Sequence, residues 1–345
     1  MSEPEGAIPA IVREAYGLEG ATLTPIATGW INRTLLVERG AERFVLQRLH
    51  PVFSGEVNRD IDAITRHLAG QGLVTPRIVR ARDGALWVEA ERPWRALSYV
   101  EGETLDTLGT PARARSAGAL AGRFHRALAG LEHTFAFTRP GAHDTALHLA
   151  KLRRVRAQRW ALAADERARA DALADAVLAY ALPSIGPLPT RIVHGDLKAT
   201  NLRFEGETAI AVLDLDTLAH GTIPVDLGDA LRSWCNPRDE SDRASRFDAT
   251  VFAAAIEGYA SATRGWLAPE EARAIVPATE TIALELAARF AADVYEDAYF
   301  GFDAIRYPSR RAHNLARVEA QLALAGSIRD QAVVLEALVE SAYGR

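Results

Sequence analysis

The stretch "RIVHGDLKATNLRF" (191–204) followed by "AIAVLDLD" (209–216) limits the possible folds more than any other part of this chain. Each half carries a short apolar run of the kind that forms a buried strand. Between the runs stand His194, Asp196, Lys198 and Asn201, and Asp214 closes the second run. A strand–loop–strand built on this pattern brings Asp196, Asn201 and Asp214 onto one small surface. Lys198 is one of only two lysines in the chain, beside Lys151; every other cationic side chain is arginine or histidine.

That set suits phosphoryl transfer from ATP. One carboxylate must receive or orient the proton of the attacking hydroxyl, and an amide oxygen with a second carboxylate must hold Mg2+ against the phosphates. A compact cation offsets charge spreading over the transferred group. The pattern predicts Asp196 as the proton acceptor, Asn201 and Asp214 as metal ligands, and Lys198 beside the γ-phosphate. Asp196 and Asn201 also favour turns, but a turn alone does not explain Lys198 and Asp214.

The rest of the chain divides in two. Up to about residue 101 it reads as strands, "LTPIATG" (23–29), "TLLVERG" (34–40), "ERFVLQRLH" (42–50), "TPRIVRA", "ALWVEAE" and "RALSYVEG", with one helix in "EVNRDIDAITRHLAGQG", where Val57, Ile61, Ile64 and Leu68 share a face. From 102 to 345 it reads as mainly helical: 112–131, a long Ala- and Arg-rich stretch over about 144–182, and everything after Pro224. The expectation is an α+β chain with a small antiparallel-sheet lobe (1–101) hinged near "EGETLD" to a larger helical lobe (102–345).

Composition narrows the class. The 345 residues carry a net charge of −5, which argues against nucleic acid as the partner. The single Cys235 excludes an internal disulfide and a cysteine-based zinc site. The acidic start lacks a signal-peptide pattern, and no apolar run reaches membrane-spanning length. A cytoplasmic monomer acting on a small molecule is expected.

His-x-Asp-x-x-x-x-Asn followed by Asp-x-Asp resembles the aminoglycoside phosphotransferase and choline kinase group, within the protein-kinase-like superfamily. The likeness covers most of the chain and implies a bilobal kinase-like fold with ATP and Mg2+ between the lobes. "TGWINRT" (28–34) resembles the hairpin over the phosphates, which implies nucleotide contacts from Thr28, Gly29, Asn32 and Thr34. "SYVEGETL" resembles the hinge, and "AGALAGRFHRAL" the first large-lobe helix, with His125 as a core histidine tied to the catalytic loop. Within the group, "VLQRL", "GAHDT" (141–145), "VLDLDT", "DLGDALR" (226–232), "ADVYEDAYF" (292–300) and "HNLARVEAQLAL" (313–324) are similar to the N-acetylhexosamine 1-kinases. That branch implies a sugar acceptor, phosphorylated at its anomeric hydroxyl, with Asp216, His143, Asp144, Asp293, Tyr299 and Arg306 at the acceptor side. Kinases for aminoglycosides, choline or amino alcohols are the alternative, and a nucleotide-binding module without catalysis is a third.

Two features depart from the kinase pattern. The small-lobe lysine that holds the α- and β-phosphates is missing. Its position falls on Gln47, with Arg48 next to it, so either residue could supply the contact; the partner glutamate falls on Asp60. Only Gly29 represents the glycine-rich loop. Bland readings remain for several residues: Asp144 as a helix cap, Asp293 and Arg306 as solvated helix positions, His194 as a packing residue, and Asp226, Asp229 and Arg232 as ion-pairing braces.

Overall fold

A computed structural model describes residues 8–26, 32–139 and 141–344. The small lobe is a five-stranded antiparallel sheet of β1 (Thr22–Pro25), β2 (Arg33–Arg39), β3 (Glu42–Arg48), β4 (Ile78–Val79) and β5 (Trp94–Ser98), in the order β1-β2-β3-β5-β4. Gly40, at φ 59°, makes the tight turn between β2 and β3. Alternation along the strands gives the sheet two faces. Leu35, Val37, Phe44, Leu46, Trp94 and Ala96 pack on one face with Val12 and Tyr16 of α1 (Ala10–Tyr16). Thr34, Gln47 and Arg95, paired in register across β2, β3 and β5, occupy the other.

The helix expected after the third strand is α2 (Val57–Gly70). Its buried stripe of Val57, Ile61, Ile64 and Leu68 joins the core of the large lobe, beside Leu120, Phe124, Leu202 and Phe204. The two lobes are therefore bound by a shared apolar interior. Three expectations change. "TPRIVRA" supplies only two strand residues, "ALWVEAE" contributes one bridge, Val88 to Trp94, and α1 occupies a segment in which no helix was expected.

The large lobe contains α3 (Pro111–Leu128), α4 (Thr145–Arg156), α5 (Ala164–Ala179), α6 (Ile223–Trp234), α7 (Ala249–Thr263), α8 (Pro269–Glu296), α9 (Arg310–Asp330) and α10 (Ala332–Ala342). Thr110 caps α3 by accepting from the Arg113 amide at 3.2 Å, with Pro111 in the first turn. The Ala- and Arg-rich stretch is two helices, α4 and α5. Both pack on α8, and α5 also on α9, in a second core that includes Leu152, Val155, Ala174, Leu284, Ala288 and Val318. Two short antiparallel pairs carry the central motif: β6 (Arg191–Val193) with β9 (Ala219–Gly221), and β7 (Leu202–Glu205) with β8 (Thr208–Val212). The hinge is pinned to β7. Glu103 and Phe204 exchange both backbone hydrogen bonds at 2.9 Å, and the Arg203 guanidinium donates to Val100 O at 3.0 Å and to Thr104 Oγ1 at 2.6 Å. Gly102, at φ 110°, lies where a Cβ would come within 2.5 Å of Phe204 O.

Candidate active site

The loop after β6 is held by buried hydrogen bonds that leave it little freedom. His194 accepts from the Asp196 amide through Nδ1 (3.2 Å) and donates from Nε2 to Leu213 O (2.8 Å), so it is a packing residue with no face toward a ligand. A Cβ added to Gly195, at φ 80°, would come within 2.6 Å of Thr217 O, so the turn requires glycine. Beneath it, buried Asp226 at the start of α6 accepts from the amides of His194 (3.1 Å) and Gly195 (2.5 Å) and from His125 Nε2 (2.8 Å). His125 Nδ1 meets the Tyr259 hydroxyl at 2.9 Å. His125 thus reaches the loop through Asp226. Burial raises the Asp226 carboxyl, but the hydrogen bond and charge of His125 outweigh it and leave the group below its ordinary value.

The expected constellation converges on this frame. Asn201 Nδ2 donates to Asp196 O at 2.7 Å and to Asp196 Oδ2 at 3.1 Å, and Asn201 O accepts from the Leu213 amide at 2.8 Å, one residue before Asp214. Lys198 Nζ sits 2.6 Å from Asp196 Oδ2. Burial would raise the Asp196 carboxyl; Lys198 overrides it by charge and hydrogen bond and holds it down, to about 2. Lys198 is pushed up in turn, its own desolvation outweighed by Asp196 and Asp214.

Asp214 adopts left-handed backbone, φ 56° and ψ 64°, which is strained for a residue with a Cβ. Enclosure in the cleft and then the carboxylates of Asp216 and Asp196 push it up to about 6, against Lys198 and Arg95. Its side chain is nonetheless open to the cleft, so like charges weigh heavily in that rise. A carboxylate in this state gains from a divalent cation. Asn201 spends its Nδ2 on Asp196 and keeps Oδ1 to offer. Among the described residues no cluster of three or more His, Cys, Asp or Glu forms a ready metal cage. One carboxylate and one amide oxygen nonetheless fit Mg2+, which takes few protein ligands and completes its shell with phosphate and water.

Other expected positions are placed differently. Thr28 and Gly29 lie outside the described residues. Thr34 Oγ1 accepts from Gln47 Nε2 at 3.1 Å, and Asn32 Nδ2 donates to Asp216 Oδ2 at 2.8 Å. Neither Gln47 nor Arg48 stands as the missing cation. Gln47 Oε1 accepts from Arg95 Nε (2.9 Å) and Nη2 (2.7 Å), while Arg48 pairs with Arg33 on the strand face opposite Gln47. Asp216 is buried at 3% exposure. It is gripped by Arg95, whose Nη2 reaches Oδ2 at 2.8 Å and whose Nη1 reaches Oδ1. It therefore faces no acceptor. Asp60, at the expected glutamate position, instead accepts from His133 Nε2 (2.8 Å) and the amides of Ala136 and Phe137 (2.9 and 3.0 Å).

The acceptor-side group separates similarly. Asp144 is the exposed N-cap of α4, accepting from Leu147 N at 2.9 Å. His143, at φ 51°, sets Nε2 on Gly195 O (2.9 Å) and Nδ1 toward Glu285 (3.3 Å), so it braces the catalytic loop. Burial alone would lower it; Glu285, then Asp229 and Asp226, raise it to about 9. Asp293 is buried and saturated, accepting from the amides of Ala298, Tyr299 and Phe300 and from Asn314 Nδ2 at 2.8–3.0 Å. Tyr299 is half-exposed and accepts from Arg139 at 2.5 Å; Arg306 is exposed and pairs with Asp239 at 3.3 Å. Arg95 and Glu285 join the site without a motif that marks them in the sequence. Arg95 is visible there only as the polar alternate of "WRALS", and Glu285 as one acid in a long helix.

A model of the phosphotransferase enzyme family matches residues 22–292. The chain belongs to that family. Among curated relatives, the homoserine kinase of Methylobacterium nodulans is 33% identical over 205 residues, 58% of each chain. That of Allorhizobium ampelinum is 31% identical over 206 residues, 57% of each. The chain thus spans less than two thirds of the length of these relatives. Among solved structures, a microcompartment-associated aminopropanol kinase superposes with TM-score 0.61 at 19% identity, covering 94% of this chain and 96% of that one. The amicoumacin kinase hAmiN, in complex with AMP-PNP, Ca2+ and Ami, gives 0.60 at 14%, covering 90% of each. The bilobal kinase-like fold follows from these likenesses and from the chain's own sheet-and-helix architecture.

Proposed function

We propose that this phosphotransferase is an ATP- and Mg2+-dependent kinase of a small-molecule hydroxyl. The observation that carries the reading is the convergence of Asp196, Lys198, Asn201 and Asp214 on one loop frame, with Asp196 held ionised and Asp214 in need of a cation. Bound Mg2+, held by Asn201 and Asp214, would neutralise phosphate charge and align the γ-phosphoryl group. Asp196 Oδ1 is left by Lys198 and Asn201 to take a hydrogen bond from the acceptor hydroxyl. As acceptor oxygen bonds to phosphorus and the bond to the β-phosphate oxygen breaks, the hydroxyl proton passes to Asp196. A carboxylate held this acidic is a weak base, so its main contribution is to orient the hydroxyl and receive its proton late, as charge leaves the oxygen. Lys198, within reach of Asp196 and Asp214, would stabilise the charge on the moving group.

For the acceptor we favour a neutral polyhydroxyl compound, the anomeric hydroxyl of an N-acetylhexosamine, giving a sugar 1-phosphate. The motif likeness supports this, and so does the charge balance of the large lobe. Asp229 pairs with Arg232 at 2.7 Å, Glu240 lies beside Arg232 and Arg317, Asp239 pairs with Arg306, and Glu285 with His143. Carboxylates so occupied leave little to hold a polycation. The second reading is a homoserine kinase, favoured by the names of the curated relatives. ADP release on N-acetylglucosamine, N-acetylgalactosamine, free hexosamines, homoserine, aminopropanol, choline and an aminoglycoside separates them. Turnover on an N-acetylhexosamine alone supports the sugar reading; turnover only on homoserine or a cationic alcohol overturns it and keeps the mechanism.

A further inference from the structure

We infer that Arg95 and Asp216 form a positioning pair that sets the metal-binding loop from the small lobe, in place of the missing lysine. The inference rests on the kinase reading and extends it to Arg95, and to Asp216 in a role other than the acceptor contact. Arg95 is 1% exposed and stands opposite Gln47 in the β3–β5 register. A guanidinium has five N–H donors, and all five are engaged here. Nε and one Nη2 hydrogen go to Gln47 Oε1, the other Nη2 hydrogen to Asp216 Oδ2, and Nη1 to Asp216 Oδ1 and, at 3.3 Å, Asn58 Oδ1. No donor remains for a phosphate, which rules out direct substitution for the lysine. What Arg95 holds is Asp216, two residues beyond strained Asp214.

The neighbours fix this grip from every side. Gln47 Nε2 donates to Thr34 Oγ1, which aims Oε1 at Arg95. Asn58 Nδ2 donates to Gly55 O at 2.8 Å, which aims its Oδ1 the same way. Asn32 Nδ2 supplies the remaining bond to Asp216 Oδ2, and its Oδ1 accepts from the His50 amide at 2.9 Å. Arg95 of β5 and Asn32, just before β2, thus hold one carboxylate of the large lobe, while Gln47 of β3 and Asn58 of α2 hold Arg95. A planar bidentate fork fixes both position and tilt of that carboxylate, which a lysine cannot do. With Asp216 fixed, the backbone between it and Leu213, itself tied to Asn201, holds Asp214 at φ 56° with its carboxylate toward the cleft. The pair ties the small-lobe sheet to the metal-binding loop.

The test is calorimetric binding of AMP-PNP with and without Mg2+ to wild type, Arg95→Lys, Arg95→Met and the double variant Arg95→Met/Asp216→Asn, with melting temperatures alongside. The double variant avoids an uncompensated buried charge and carries the test where the single Met variant does not fold. The expected result is a loss of about 10–100-fold in Mg2+-dependent affinity, the range for outer partners of metal ligands. Metal-free affinity stays at the wild-type level, and Arg95→Lys recovers part of the loss. A double variant that melts lower yet keeps wild-type Mg2+ dependence makes the pair a simple brace and overturns the inference. Wild type that binds no Mg2+–AMP-PNP overturns this inference and the kinase reading together; wild type and variants binding alike overturn this one alone.

Discussion

At the residue scale, the site is a set of carboxylates with different tasks imposed by different neighbours. Asp196 is kept ionised by Lys198, Asp214 is pushed up to about 6, and Asp226 is spent on the loop backbone. Because Asp214 must be charged to bind a cation, Mg2+-activated turnover should weaken as pH falls through about 6. The Mg2+ concentration for half-activation, followed against pH, checks this; a flat profile would remove Asp214 from the metal site. His143 carries the opposite sign. Its folded value of about 9 lies above the ordinary 6.5, so the stability it contributes is complete below 6.5 and is lost as pH rises through about 9. His143→Ala leaves Glu285 buried beside Thr145 without its hydrogen-bonded cation, at a cost of about 3 kcal/mol. Denaturant unfolding below and above that range should show the variant's deficit shrinking as pH rises. Asp196, Lys198, Asn201 and Asp214 were legible in the sequence because their spacing within one strand–loop–strand fixes their proximity. Arg95 and Glu285 were not, because each reaches the site from an element far along the chain.

At the scale of elements, α3 and α7 show how small residues place the large lobe. Gly118 and Gly258 face the partner helix so closely that a Cβ on either would overlap the backbone at Ala255 or Arg115. Gly258→Val should separate the helices and destabilise by about 1–3 kcal/mol or more, read as a lower urea midpoint with an unchanged slope. The shift should spread to the site, since Tyr259 next to Gly258 holds His125 under the catalytic loop. Amphipathic periodicity made α2 and α3 readable, and α2 matches the expected face residue for residue. The small-lobe edge was less readable. "ALWVEAE" has strand-like composition, yet it pairs through Val88 alone, and pairing partners decide strands where composition does not. The positive φ at Asp214 and His143 left no mark either, because both residue types occur freely in ordinary backbone.

For the whole molecule, the two lobes share one apolar core through α2 and meet at the buried Arg95–Asp216 ion pair, so the cleft between them is set from both sides. No helix among the described residues is long and apolar enough to cross a membrane. The sheet-then-helix order was visible as a shift from strand-rich to helix-rich sequence near residue 101, while the acceptor side was not. Residues expected to line it, Asp293 and Asp144, turned out to be a loop clamp and a helix cap, roles that a carboxylate fills with the same sequence pattern. The central claim is that this fold moves phosphate with Asp196 at the acceptor hydroxyl. The measurement that tests it most directly is acceptor-dependent ADP release by wild type and Asp196→Asn over the acceptor panel, with Mg2+–AMP-PNP binding confirmed for both. The account predicts turnover on at least one acceptor by wild type, about a hundredfold or greater loss in the variant, and equal nucleotide binding. Equal ADP release by both proteins, or none by either while both bind nucleotide, would contradict it.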